Sequence, residues 1–318
     1  MPIECLSAGI LFADVVGSPI ERAPQAGELA PAERIELSLG GCAANAALDL
    51  ARLGVQVGAA GCVGKDVFGQ FIIEKLRSGG VDVGGVSAVA GPNTACTMII
   101  NVRGEDRRFV SSIGANAAMS VAHLPEAWLA EASVFYLGGY LMLPGMETAA
   151  LAEVLNRLRQ RGCITVIDVV YVGSPNSLNA LSLVLPHTDY FLPNDDEAVA
   201  LTGLADPVAQ AEAFRSMGAK TVVITCGEKG SVLVGPEFRF RAGVYPTEFV
   251  GGTGAGDAFD AGFIMGLLRR EDPISCVRWG SALGASCVRA ASATDAVFTR
   301  EEAEEFIARH PLPIEPLP

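Results

Sequence analysis

Aromatic residues make up only 7% of this 318-residue chain, histidine occurs three times, and 23 Lys and Arg stand against 36 Asp and Glu. Each shortage excludes something. With 50% of the residues apolar, intrinsic disorder is excluded, and the core has to be built mainly of Ala, Val, Leu and Ile. A net charge of −13 repels polyanions and anionic lipid, which argues against nucleic acid and membrane surfaces as partners. The same charge means that a phosphate ligand has to be held by backbone amides, a bound cation or a few local basic residues. His123, His187 and His310 do not cluster with cysteine and no C-x-x-C pair occurs, so a zinc site is not expected. The eight cysteines are scattered, mostly in apolar runs, and read as reduced core residues. No uncharged run suits a membrane. Ala132–Met146 contains Gly138, Gly139 and Pro144, and Val169–Thr188 carries Pro175, Asn176, Asn179 and Pro186, whereas a spanning helix needs ~20 mainly apolar residues. Met1-Pro2-Ile3-Glu4 lacks a basic n-region, and the expected location is cytoplasmic.

Short apolar runs alternate with helical patterns, which is the grammar of an α/β fold with a parallel sheet. Strands are expected at Ile3–Phe12, Val55–Val63, Val134–Leu137, Cys163–Val169, Tyr190–Leu192 and Thr221–Thr225, with a late hairpin of Ser231–Val234 and Arg239–Arg241. Helices are expected at about Ala43–Leu53, Val67–Leu76, Glu147–Arg161, Asp195–Thr202, Pro207–Met217, Ala255–Arg270 and Ile274–Arg289. Thr299-Arg300-Glu301-Glu302 is a capping box for a last helix, and the tail Pro311–Pro318 reads as extended. One stretch breaks the pattern. Thr94–Val102 and Arg107–Ile113 form a hairpin around Arg103–Asp106, and Glu33–Leu39 is a further short strand. Together they predict a small second sheet, a lid or an interface, from segments of about 12–39 and 94–113. No repeat and no long linker divides the chain, so a single domain is expected.

The strongest local signal is Gly251-Gly252-Thr253-Gly254-Ala255-Gly256-Asp257-Ala258-Phe259, after a strand-like Glu248–Val250 and opening an apolar helix. Small residues let the backbone approach a ligand, and amides at a helix N-terminus favour negative charge. Gly254, Ala255 and Gly256, with the amide of Asp257, are the candidate anion hole. Asp257 beside it is a candidate base that takes a hydroxyl proton during phosphoryl transfer. A lone turn of this kind more often serves only as a capped helix start. A dinucleotide fingerprint, and with it an oxidoreductase, fits poorly, because Phe259 stands at the third glycine position.

Weaker signals stand elsewhere. Gly40, Gly41 and Asn45 at a helix entry can admit and bind a polyol, and Asp14 after the first strand suits sugar hydroxyls; a plain helix-entry turn and a solvated loop acid are the bland readings. Asn194 and Glu197 share one side of a first helical turn and could orient the water shell of Mg2+, or merely cap that helix. Thr225, Gly227 and Gly230 could line a nucleotide or form an ordinary hairpin turn. Cys42 and Cys226, beside these positions, read as passive.

The order of the motifs decides between these readings. Gly40-Gly41-x-x-x-Asn45, Val63-Gly64-Lys65-Asp66-Val67-Phe68-Gly69, Asn194-x-x-Glu197, Thr225-x-Gly227-x-x-Gly230 and Gly254-Ala255-Gly256-Asp257 follow one another. This resembles the ribokinase-like, or PfkB, family of carbohydrate kinases from Gly9 to about Ala291. The resemblance implies a doubly wound, mostly parallel sheet flanked by helices with a small β lid, and ATP and Mg2+ as cofactors. It implies Asp257 as the base, amides of residues 254–257 as the anion hole and Asn194 and Glu197 as organisers of Mg2+. It places Thr225, Gly227 and Gly230 at the nucleotide and Asp14, Gly40, Gly41 and Asn45 at the acceptor. One departure is informative. Gly251 and Gly252 replace the usual Asp-Thr, whose Asp helps to hold a monovalent cation in potassium-activated members, so weak or absent potassium activation is expected. The acceptor stays open among ribose, fructose, a keto-deoxy sugar acid and a nucleoside. Tyr140 either stacks on it or packs in the core, and Arg107 and Arg108 on the lid are available to a sugar acid. Exposed lid strands suggest a homodimer. The rival class is a noncatalytic sugar-binding or regulatory protein on the same fold.

Overall fold

In a computed structural model that describes residues 2–104 and 108–317, the apolar runs become fourteen strands. In chain order they are β1 (Cys5–Gly9), β2 (Phe12–Gly17), β3 (Ile35–Gly40), β4 (Val57–Gly64), β5 (Asp82–Val89), β6 (Cys96–Ile100) and β7 (Arg108–Ser112). There follow β8 (Val134–Gly138), β9 (Ile164–Ile167), β10 (Tyr190–Phe191), β11 (Thr221–Thr225), β12 (Ser231–Val234), β13 (Arg239–Ala242) and β14 (Ile314–Pro316). The main sheet has ten strands in the order β14-β13-β12-β11-β10-β9-β8-β1-β4-β5. It is parallel from β11 to β5 and antiparallel from β11 to β14. Strand order reverses between β1 and β8, and in open α/β sheets the crevice beyond such a reversal is where ligands bind.

Apolar side chains fill both faces of this sheet. One core joins it to the helices Cys42–Arg52, Ala255–Leu268 and Pro273–Cys287, and the other lies under Thr148–Gln160 and Pro207–Ser216. The cysteines are all free, and all but the half-buried Cys96 are buried, as core residues should be. Among the described residues no helix is long and apolar enough to cross a membrane.

The four-stranded lid runs β3-β2-β6-β7. Its strand β2 corrects the expected single strand Ile3–Phe12, because the chain leaves the main sheet after Gly9 and enters the lid at Phe12. The crossing leaves the buried backbone of Leu11 without a strand partner, and Asn116 supplies one. Its amide oxygen accepts from Leu11 N at 3.0 Å and its Nδ2 donates to Leu11 O at 3.0 Å, both buried. Pairing both groups spares the desolvation penalty of a bare peptide at the hinge between two sheets.

Among the remaining elements, one expected strand is absent, the tail is as expected, and three elements are added. Glu248–Val250 is loop, since Val250 N and Gly251 N both donate to Val288 O and so pair with no strand. The proline-rich tail does extend, and β14 within it pairs with β13. Strand β5 and the helices Glu126–Glu131 and Ser177–Val184 add elements that the periodicity did not announce. Short elements carry weak patterns, and tertiary contact decides them.

The helix Ala255–Leu268 is seated by small residues. A Cβ at Gly262 would lie 2.4 Å from the carbonyl oxygen of Trp279 on the neighbouring helix. Gly262→Ala is therefore expected to destabilise the fold by about 1–3 kcal/mol through overpacking, despite the ~1 kcal/mol that alanine gains in helix propensity. Urea denaturation checks this, the midpoint falling with the slope unchanged.

Candidate active site

Gly254 adopts φ 78° and ψ −1° as the N-cap of helix Ala255–Leu268, a left-handed conformation that glycine takes without a Cβ penalty. From there the chain turns directly into the helix. Ala258 N donates to Gly254 O at 2.8 Å, and Ala255 N donates to Gly252 O at 3.3 Å. The amides of Gly256 and Asp257 precede the first intrahelical bond and belong to the open end of the helix. Gly256 is exposed and Asp257 half-buried, so the tip faces a cleft rather than a packed core.

Helix Cys42–Arg52 brings Asn45 against this tip. Asn45 Nδ2 donates to Asp257 Oδ2 at 2.8 Å, while the buried Asn45 Oδ1 has no partner among the described residues. Burial raises the pKa of Asp257, and the hydrogen bonds from Asn45 and Cys42 pull it back toward the ionised form. Ligand atoms of Cys42, Asp168 and Asp257 lie within 4.8 Å of one another. Asp168 follows β9, and its carboxylate accepts from Gly139 N at 3.1 Å after β8, at the sheet's reversal.

The lid delivers Asp14 from β2. A Cβ on Gly40 would lie 2.1 Å from Asp14 Oδ2, so only glycine leaves room for that carboxylate. Burial lifts the Asp14 pKa to about 6, against the Thr97 hydroxyl that lowers it, and the charge of Asp257 adds to the rise. The cleft is crowded with acid. Burial and the neighbouring Asp260, Glu197 and Asp257 hold Asp168 well above the ordinary carboxylate range. Burial does the same to Asp260, although the Tyr136 hydroxyl donates to it at 2.8 Å.

Asn194 and Glu197 form a capping box. Asn194 Oδ1 accepts from Glu197 N at 2.8 Å, and Asn194 N donates to Glu197 Oε2 at 3.0 Å. The cap fixes where the acid points. Burial raises the Glu197 pKa to about 7 against the amides of Asn194 and Tyr171, and the charge of Asp257 adds to it. Thr225 bridges to Asn194 and donates from its amide to Pro193 O at 3.2 Å. Gly227 and Gly230 complete the turn between β11 and β12, with Cys226 N donating to Gly230 O at 2.7 Å.

The structure thus gathers Asp14, Gly40, Asn45 and Asp257 around the helix tip and links Asn194, Glu197 and Thr225 to one another. Gly41 caps the helix that carries Asn45. Tyr140 packs in the core, buried, with its hydroxyl donating to Thr148 Oγ1 at 3.2 Å. Arg107 lies outside the described residues. Asp168, Asp260 and Cys42 were missed as site residues. Asp260 had a signal, standing three residues after Asp257 on the same helix face, and Asp168 had another, ending a strand. Cys42, read as passive, has its thiol against both Asp168 and Asp257.

The family model described as pfkB family carbohydrate kinase matches residues 4–300. Ribokinase of Haemophilus influenzae is 30% identical over 292 residues, 88% of this chain and 91% of that protein. 2-Dehydro-3-deoxygluconokinase of Bacillus subtilis is 29% identical over 283 residues, 85% of this chain and 86% of that protein. A solved structure of a putative ribokinase II from E. coli, in complex with ATP and Mg2+, superposes with a TM-score of 0.82 at 24% identity, over 97% of this chain and 100% of that one. The structural likeness speaks to the fold, and the family match spans the four-stranded sheet, all of the main sheet but β14, and every motif that meets in the cleft. The chain belongs to the pfkB family of carbohydrate kinases.

Proposed function

We propose that this kinase transfers the γ-phosphoryl group of ATP to a primary hydroxyl of a small sugar-like acceptor, with Asp257 as the base. The observation that carries this is the half-buried Asp257 carboxylate, held by Asn45 beside amides that precede the first intrahelical bond. The acceptor oxygen forms a bond to the γ-phosphorus, the bond to the bridging oxygen breaks, ADP leaves, and the hydroxyl proton passes to Asp257. The amides of Gly256 and Asp257, beside the Gly254 cap, hold the charge that develops on the phosphoryl oxygens, whereas the Ala255 amide, expected to share in the anion hole, donates to Gly252 O. Asp14, Gly40, Gly41 and Asn45 seat the acceptor, and Thr225, Gly227 and Gly230 line the nucleotide. Closure of the lid would exclude water.

Glu197, with Asn194 beside it, would hold Mg2+ through water. The donor chemistry fits, since hard carboxylate oxygens crowd together and raise one another's pKa, a repulsion that a divalent cation relieves. When bound, Mg2+ supplies neutralising charge to the phosphates. The E. coli neighbour solved with ATP and Mg2+ supports this pairing of nucleotide and metal.

A monovalent cation is not needed in this reading. Gly251 and Gly252 offer no side-chain oxygen, and the Cys287 thiol, with its single proton, lies 3.4 and 3.1 Å from the carbonyl oxygens of Thr253 and Ala293. The oligomer is a homodimer through the lid. Leu37, Val15, Met98 and Val110 stand opposite one another across all four strands, and Leu37, Met98 and Val110 are exposed. An apolar row of this kind suits a second copy.

Asp257→Asn is expected to lower kcat by ~10²–10⁴ with the fold intact. Steady-state ADP release beside a circular dichroism spectrum checks it, and a loss below threefold removes Asp257 from the chemistry. Replacing a bulky monovalent cation by K+ at constant ionic strength should leave turnover unchanged; a severalfold rise sinks the cation-independent reading. Met98→Asp should convert the dimer to monomer in sedimentation velocity, and a wild-type chain that sediments as a monomer refutes the lid dimer.

A further inference from the structure

The lid sheet has two unlike faces, because side chains alternate along each strand. Ser38, Asp14, Thr97 and Ser111 stand directly opposite one another across β3, β2, β6 and β7. They share one face, as the Thr97 and Ser111 hydroxyls 3.1 Å apart and the Thr97 hydrogen bond to Asp14 show. Asp14 faces the cleft, where the charge of Asp257 reaches it. The lid therefore offers the acceptor three hydroxyls and one carboxylate. Arg108 pairs with Ile100, three residues from Ser111 in an unbroken register. It stands on the other face, with Val110 and Met98, pointing away from an acceptor held by Asp14 of the same chain.

The opposite wall carries Asn45, Asp168 and Asp257. Asn45 Oδ1 is buried and without a partner among the described residues, so it needs a donor from the ligand. The chain beyond Asp168 continues Val169-Val170-Tyr171-Val172 and brings no basic side chain. Among the described residues, the acceptor side of the cleft presents hydrogen-bond acceptors and adaptable hydroxyls. A polyol supplies donors to all of them, whereas a carboxylate has none to give and adds charge of the wrong sign.

We infer that the acceptor is an uncharged polyhydroxy compound, a neutral sugar or a nucleoside, and that the cleft rejects sugar acids. This deepens the phosphotransfer reading above and rests on it for the place where the acceptor sits. The Bacillus subtilis relative is named for a sugar acid, so family membership alone does not lead here.

Two readouts on the intact chain test it. ADP release is measured with ribose, fructose and cytidine against gluconate and 2-dehydro-3-deoxygluconate, and binding of the same compounds without ATP is followed by calorimetry. At least one neutral compound should bind and turn over, with kcat/KM for either acid at least ~100-fold lower, the cost of placing like charges together. Arg108→Ala should leave KM for the neutral acceptor unchanged. Ser111→Lys, which sets a cation on the cleft-facing row, should narrow the gap between acid and neutral acceptors. A sugar acid that binds or turns over as well as the best neutral compound overturns the inference, as does failure of every neutral compound to bind. A neutral sugar that binds without ADP release supports it and counts against phosphotransfer instead.

Discussion

Carboxylates crowding around the open end of one helix are the constraint on which the rest of this structure depends. Asp257 stands at the tip with Asp168 beside it, Asp14 lies across the cleft, and Asp260 and Glu197 add their charges. Water is scarce there, so each charge is costly and each raises its neighbours' pKa. Two kinds of ligand relieve that strain. A divalent cation offsets the charge, and a donor-rich polyol satisfies the lone pairs. The amides at the tip are the complementary feature, since in the proposed reaction they give a migrating phosphoryl group a place to go in an otherwise acidic cleft.

An acidic protein that handles phosphate thus does so with few side-chain cations at the reaction centre. Its net charge of −13 is compatible with phosphate in the proposed reaction, where the binding groups belong to the backbone and to a metal. The lid continues the same division. Its cleft-facing row is polar and its outer row apolar. A single strand register therefore sets both the face proposed for the acceptor and the face proposed for a second copy. Asn116 makes the arrangement possible, because it pairs the backbone of Leu11 where the chain passes from one sheet to the other.

Much of this was legible in the residues. The glycine spacing at 254–256 announced a helix tip, and the structure has Gly254 in the left-handed cap. Asn194-x-x-Glu197 announced a capped acidic helix start, and the capping box is there. The hairpin around Arg103 announced a second sheet. The failures share a cause. The first strand was drawn too long because Ile10, Leu11 and Phe12 are as apolar as the residues before them, and only Asn116, far along the chain, shows where the path bends. Cys42 looked passive beside a glycine pair, since nothing near it in sequence foretold Asp168 and Asp257.

The residues by themselves determined the class of fold, the helix tip and the place of the acid proposed as base, because each depends on neighbours along the chain: strand and helix periods, a glycine where φ turns positive, an acid in a first turn. Tertiary structure alone decided which carboxylates share the cleft, which face of the lid Arg108 occupies and where Tyr140 packs. Those outcomes depend on strand order and register, which bring together positions separated by up to a few hundred residues, and no local pattern carries that information.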